Sequence, residues 1–194
     1  LETAPDQAEG QSRRARKLAE GRGDAGLLFR VGHDLGRILV RRGATASGLE
    51  VLDRVAQRLE TTSGAQAPTW RLRLLAVTCL RQLGRPQEAR AACARLLEVP
   101  AVQVSWLAQA RVHEELATLA MTGSDPRTAM EHLSRVIAYH RFTGDRQGLM
   151  EAQLRLAELD VENRAAWAQG ALVLAELLGC DEGRLLADRL LSPG

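Results

Sequence analysis

The feature that most constrains the fold of this chain is a repeat with a nearly constant step along the sequence. Small residues recur at this step; they are Ala8, Gly48, Ala89, Ala129 and Gly170. The residues four positions later are Ser12, Leu52, Cys93, Leu133 and Leu174, and those seven positions later are Ala15, Val55, Leu96, Val136 and Leu177. A helix brings positions +4 and +7 onto the face of the first residue. The pattern therefore predicts one helical unit stacked several times.

The composition and the breaks between apolar stretches favour an all-α chain. Aromatic residues make up only 3% of the 194 residues, so Leu, Ala and Val must fill the core. Gly43, Gly84 and Gly123 are typical of helix ends, and Pro86 and Pro126 are typical of first helical turns. We predict a single domain over 1–194: a half repeat (1–22), four helix hairpins (24–63, 67–100, 102–142 and 145–179) and a capping helix (181–191). The chain opens inside a repeat, which suggests a fragment of a larger protein.

The turns between the predicted helices carry a family resemblance. The segment 83–89 reads Leu-Gly-Arg-Pro-Gln-Glu-Ala and resembles the inter-helix turn of tetratricopeptide repeats; segment 120–129 is similar but one position longer. The family also pairs a Leu with a small residue on the first helix, as in Leu35-Gly36, Leu116-Ala117 and Leu156-Ala157. The step from Gly48 to Ala89 and on to Ala129 is longer than the usual repeat of this family. The resemblance implies a long-repeat α-solenoid of antiparallel hairpins, coiled into a right-handed superhelix.

Charge, cysteine content and motifs exclude several classes of function. The formal net charge is only +2, which gives no general argument for binding nucleic acid or a membrane. The cysteine number is odd and no C-x-x-C occurs; Cys79, Cys93 and Cys180 are expected to be buried apolar residues. Phosphate-binding, metalloprotease and nucleophile-elbow motifs are absent from the sequence. We predict a cytoplasmic protein that is not an enzyme and has no catalytic residue, metal site or cofactor.

The first helix of each hairpin carries a stripe of charge. The resemblance implies that these helices line a concave groove, and the candidate ligand-binding residues there are Arg30, His33, Arg37, Arg41, Arg71, Arg81 and Arg111. Towards the C-terminus the same stripe becomes acidic, with Glu114, Glu151 and Glu158. Converging arginines favour a carboxylate or phosphate ligand. The alternative interpretation is a charged helix face that is simply solvated.

The function that the resemblance implies is a protein-protein interaction scaffold. A partner's peptide or helix would bind in the concave groove, and the arginines favour a partner with an acidic segment. The alternative is a ligand-sensing or oligomerisation domain of a larger bacterial transcriptional or signalling regulator. We also consider a homodimer formed through the unsealed edge of the half repeat, and use of the convex face. Neither a membrane nor a nucleic acid is predicted to bind this domain.

Overall fold

The architecture is helical throughout the part of the chain that can be described. The computed structural model describes residues 23–63 and 69–192, together with residues 10, 13–17 and 21. All regular elements of these residues are helices and none is a strand, which confirms the all-α prediction. Ala8 and Ser12 of the predicted half repeat lie outside the described residues. None of the helices in these ranges is long and apolar enough to cross a membrane.

The helices follow one another with short connections. In chain order from residue 25 they are α1 (Ala25–Arg41), α2 (Thr45–Ser63), α3 (Trp70–Gln82), α4 (Pro86–Leu97), α5 (Pro100–Gln103), α6 (Trp106–Thr122), α7 (Pro126–Thr143), α8 (Arg146–Leu159), α9 (Arg164–Leu178) and α10 (Asp181–Leu191). The first helix of the hairpin predicted over 102–142 is divided in the structure. The single turn α5 comes first, and α6 starts after Ser105, whose side chain accepts a hydrogen bond from the amide of Ala108.

The chain forms two compact units, Leu1–Val104 (unit 1) and Ser105–Gly194 (unit 2). In unit 1, α1 packs on α2 and α3, and α3 also packs on α2 and α4. In unit 2, α6 packs on α7, α7 on α8, α8 on α9, and α10 on both α8 and α9. Consecutive helices that pack along their length across such short connections are antiparallel hairpins. The additional contacts of α1 with α3, and of α8 with α10, bring alternate helices side by side.

Each unit has its own apolar core. The core of unit 1 includes Leu28, Leu52, Val55, Ala56, Leu59, Leu72, Ala76 and Cys79. Unit 2 has one cluster around α7, formed by Ala117, Leu133, Val136, Ile137, Ala152 and Leu156. A second cluster of unit 2 lies among α8, α9 and α10 and is formed by Met150, Leu154, Ala171, Ala175 and Ala187.

Small residues on the first helices allow neighbouring helices to approach closely. A Cβ atom on Gly36 would lie 2.6 Å from Leu52 Cδ2, and one on Gly32 would lie 2.7 Å from Val55 Cγ1. These are closer than real Cβ contacts, so α2 packs directly against the bare backbone of α1. Ala117, the small member of a predicted Leu-small pair in unit 2, is fully buried.

The turn between α6 and α7 differs in detail from the turn between α3 and α4. Gly84 adopts a left-handed conformation (φ 71°) two positions before Pro86. At the corresponding place before Pro126, the left-handed residue is Ser124 (φ 56°), whereas Gly123 has a φ of −88°. The extra residue of the second turn therefore moves the strained conformation off the glycine and onto a serine.

The repeat alignment predicts that Leu177 lies on the inner face of α9. This prediction is wrong, because Leu177 is 64% exposed. The buried residues of this helix are Ala168, Ala171 and Ala175. The cause is a shorter sequence step at this point. The start of α9 follows the start of α7 at Pro126 by fewer residues than the start of α7 follows the start of α4 at Pro86. The face that meets the core therefore falls slightly earlier along the helix than the alignment on Gly170 predicts.

Candidate functional site

The arginines predicted on α1 are exposed, and the histidine among them is not. Arg30, Arg37 and Arg41 lie on the solvent side of α1 and make no ion pair with any residue of the described ranges. The ring of His33 is half-buried and stacks on Phe29, with the ring centroids 6.0 Å apart. Its Nδ1 atom lies 3.7 Å from the carboxylate of Asp34. His33 is therefore engaged by its own helix, while the three guanidinium groups face water.

The other predicted residues divide between the two units. Arg71 and Arg81 lie on α3, which packs beside α1 in unit 1. The guanidinium of Arg71 lies over the ring of Trp70, 5.2 Å from its centroid, and Arg81 is half-buried. Arg111 lies in unit 2, where it donates to Glu114 Oε2 at 2.9 Å. The structure thus brings six of the seven candidates onto two packed helices of unit 1 and places the seventh in unit 2.

Unit 1 has a cavity of about 690 Å³ among α2, α3 and α4. Arg73 on α3 crosses it and donates to Asp53 at 3.0 Å and to Glu60 at 3.1 Å, both on α2. Arg85 and Glu88 pair at its other end, and this hydrogen-bonded pair raises the pKa of Arg85 and lowers that of Glu88. The charges of this cavity are therefore largely neutralised by one another, and Arg73 serves to fasten α3 to α2.

Unit 2 has two adjoining cavities, which together we call the α6–α8–α10 groove. The first has a volume of about 470 Å³ and is bounded by α6, α7 and α8; the second, of about 430 Å³, lies between α8 and α10. Gln147, Glu151 and Arg155 line both cavities, so the two are continuous along α8. The N-terminus of α8 is fixed by Asp145, whose side chain accepts from the amide of Gly148 at 3.0 Å.

Arg155 lies in the middle of this groove, where the two cavities meet. Its Nη2 atom donates to Thr118 Oγ1 at 2.8 Å and lies 3.4 Å from Met121 Sδ, so the side chain of α8 reaches α6. A hydroxyl and a thioether leave the positive charge of the guanidinium without a carboxylate partner in the described part of the chain. Arg155 was not among the residues predicted from the sequence. Its position four residues after Glu151 offered only an intrahelical pair, which the structure does not form.

His140 is a buried polar group on the wall of the first cavity. Its exposure is only 4%, and its ring lies against Gly148, where no side chain could fit. The Nε2 atom lies 3.5 Å from Glu114 Oε1, and Nδ1 lies 3.0 Å from Asp145 Oδ2. The second contact is not aligned as a hydrogen bond, which leaves Nδ1 buried without a hydrogen-bond partner. Nδ1 is covered by Gly148 and faces the Asp145 carboxylate, so His140 joins α7 to the start of α8.

The carboxylates along the groove outnumber the cations. They are Glu114, Glu115, Asp145, Glu151, Glu158 and Glu182, against Arg111 and Arg155. Arg111 is already paired with Glu114, and Glu151 accepts a hydrogen bond from the neutral Gln147 at 3.0 Å. No ion pair engages Glu151, Glu158 or Glu182 within residues 23–63 and 69–192. The acidic end of the predicted stripe therefore lies in a real cavity, to which Glu182 of α10 adds a carboxylate that the sequence analysis did not include.

A pair of histidines lies between α6 and α7, outside the groove. The Nδ1 atoms of His113 and His132 are 3.1 Å apart, and the rings stack with centroids 5.1 Å apart. Burial first, and then the neighbouring His132 and Arg135, lower the pKa of His113 to about 4. Burial and then Arg135 also lower the pKa of His132. Two rings that share one hydrogen bond hold the hairpin together. No group of three side chains that could hold a metal ion occurs in the described ranges.

Comparison with known proteins bears on the fold. The crystal structure of BtubC (BKLC) from P. vanneervenii is similar over 97% of this chain and 90% of that chain, with a TM-score of 0.73 and 13% sequence identity. A likeness at that identity concerns the fold, which is helical in both. No family model matches the chain, and no curated protein matches it.

Proposed function

We propose that this protein is a protein-interaction module built from long tetratricopeptide-like hairpins, and that the α6–α8–α10 groove of unit 2 binds a peptide or helix of a partner. The observation that carries the proposal is the groove itself: two continuous cavities of about 470 and 430 Å³, open along α8 and lined by charged side chains of separate helices. Helical-repeat proteins use such surfaces to bind extended or helical segments.

The size and lining of the groove suit several successive side chains of a peptide better than one compact ligand. Each cavity can take one or two side chains of a peptide, and the residues shared along α8 connect one position to the next. Arg155 offers N–H donors at the junction, where the backbone carbonyls of a bound peptide would lie. The long-repeat interpretation agrees with the antiparallel hairpins within each unit and with the closely packed small residues of α1.

A peptide selection tests this proposal. The full chain is presented to a phage library of random dodecapeptides, and the selected peptides are titrated by fluorescence anisotropy. Gln147 is exposed and lines both cavities, so Gln147→Trp fills the groove without changing its charge. The matched control is Gln169→Trp, an exposed position of α9 outside the groove.

We expect selected peptides to bind at least about tenfold more weakly to Gln147→Trp and equally to Gln169→Trp; tenfold corresponds to about 1.4 kcal/mol. The proposal fails if the library yields no peptide that binds, or if Gln147→Trp and Gln169→Trp bind the selected peptides equally well.

A further inference from the structure

We infer that the partner segment is basic, and that a Lys or Arg side chain enters the cavity between α8 and α10. This inference rests on the proposed function and adds the chemistry of the partner to it. It reverses the expectation from the arginine stripe, because the cavity of unit 2 presents mostly carboxylates, whereas the exposed arginines of α1 belong to unit 1.

The floor of the α8–α10 cavity is apolar. It is formed by Met150 and Leu154 of α8 and by Leu186 of α10, next to Gly183. A Cβ atom on Gly183 would lie 2.8 Å from Met150 Sδ, so this glycine lets α10 approach α8 and closes the floor. The methylene stem of a Lys or Arg side chain can lie on such a surface while its charged end stays in a polar region.

The rim of the same cavity is acidic on both sides. Glu151 and Glu158 are seven positions apart and therefore lie on one face of α8, and Glu182 approaches from the first turn of α10. Within the described ranges no cation pairs with these carboxylates, and all three residues are exposed. An ammonium or guanidinium group placed among them would gain charge-assisted hydrogen bonds from two helices at once.

Polar side chains extend the proposed site into the first cavity. Arg155 lies at the junction of the two cavities with only its Nη2 atom engaged, and Glu115 and Asp145 add carboxylates to the lining of the first cavity. The other N–H groups of Arg155 can donate to the backbone carbonyl oxygens of the same segment. The site therefore combines an apolar floor, an acidic rim and main-chain contacts.

An acidic partner fits this groove poorly. Of its two arginines, Arg111 is paired with Glu114, and Arg155 is flanked along α8 by Glu151 and Glu158. A carboxylate brought to Arg155 would meet like charges on either side, which is the arrangement that excludes wrong partners. Charge complementarity thus selects a cation for this cavity.

The test uses the peptides selected on the full chain. We expect them to be enriched in Lys or Arg at one fixed position, and binding to fall at least about tenfold for the double variant Glu158→Gln/Glu182→Gln. Acetylation of the fixed lysine, or replacement of a fixed arginine by citrulline, is expected to have the same effect. The matched control Glu131→Gln/Glu162→Gln removes two exposed carboxylates of unit 2 that do not line the groove, and should bind like the wild type.

The possible failures are distinguishable. Peptides that require an open groove, as shown with Gln147→Trp, but that lack a fixed cation and bind the Glu158→Gln/Glu182→Gln variant normally would overturn the basic-partner inference and leave the proposed function standing. Selected peptides that are enriched in Asp or Glu would overturn it as well. If no peptide binds, or if binding is insensitive to Gln147→Trp, both the function and the inference fail.

Discussion

At the scale of single residues, the contact between His113 and His132 makes the hairpin of α6 and α7 sensitive to acid. With Nδ1 atoms 3.1 Å apart, one ring donates and the other accepts, so the accepting ring must be neutral and the two rings cannot both be protonated. Arg135 Nη1 lies 3.5 Å from the other side of His113, so an added proton meets positive charge there. Burial of the ring, together with His132 and Arg135, lowers the pKa of His113 in the folded protein to about 4, below the value of about 6.5 expected for an unfolded chain.

We predict that unit 2 loses stability as the pH falls from about 6.5 towards 4. A lowered folded-state pKa means that the stabilising contribution of His113 is complete above about pH 6.5 and is lost as the unfolded chain binds protons first. The melting temperature of the wild type should fall more steeply between pH 7 and pH 4.5 than that of His113→Gln, whose side chain does not titrate. Parallel slopes for the two proteins would show that His113 does not carry this linkage.

A second residue-scale prediction concerns the left-handed backbone at Ser124. A residue with a Cβ pays about 1 kcal/mol in this conformation, which glycine does not. Since the φ of Ser124 is 56°, we expect Ser124→Gly to raise the free energy of unfolding by about 0.5 to 1 kcal/mol in urea titrations. Gly84→Ser, at the equivalent turn of unit 1, should lower it by a similar amount. A destabilised Ser124→Gly protein would contradict this account of the turn.

At the scale of helices, the sequence predicted most of the elements and misplaced one face. Helix ends were predictable where a cap or a proline determines them, as at Asp24, Pro86 and Pro126. The buried face of α9 was not predictable, because the sequence period is set by helix and turn lengths that vary along the chain. A Leu-rich helix such as α9 offers apolar residues on several faces, so periodicity alone could not reveal the shift.

Two leucines of α9 test the corrected face. Leu174 packs against the cluster that contains Ala171 and Ala175, whereas Leu177 is exposed, although the repeat predicted both inside. We expect Leu174→Ser to lower the free energy of unfolding by about 1 to 2 kcal/mol and Leu177→Ser to change it by less than about 0.5 kcal/mol. Equal losses in urea unfolding would restore the face predicted from Gly170.

At the scale of the whole molecule, the distribution of charge was predictable and its organisation was not. The sequence indicates basic first helices followed by acidic ones, and the structure has the exposed arginines on α1 in unit 1 and the unpaired glutamates of α8 in unit 2. The cavities arise from packing between α8 and its neighbours, and Arg155 and His140 enter them through contacts distant in sequence. Such contacts leave no periodic signal, which is why the sequence pointed to an arginine stripe and not to this groove.

Photo-crosslinking identifies the surface of the protein on which a selected peptide binds. A selected peptide that carries a benzophenone side chain next to its fixed cation is irradiated on the full chain, and the crosslinked fragments are identified by mass spectrometry. If the peptide binds in the α6–α8–α10 groove, we expect crosslinks within α8 and α10, at Met150–Glu158 and Glu182–Leu186, that are lost in Gln147→Trp. Crosslinks confined to α1, or to the cavity among α2, α3 and α4, would contradict binding in this groove.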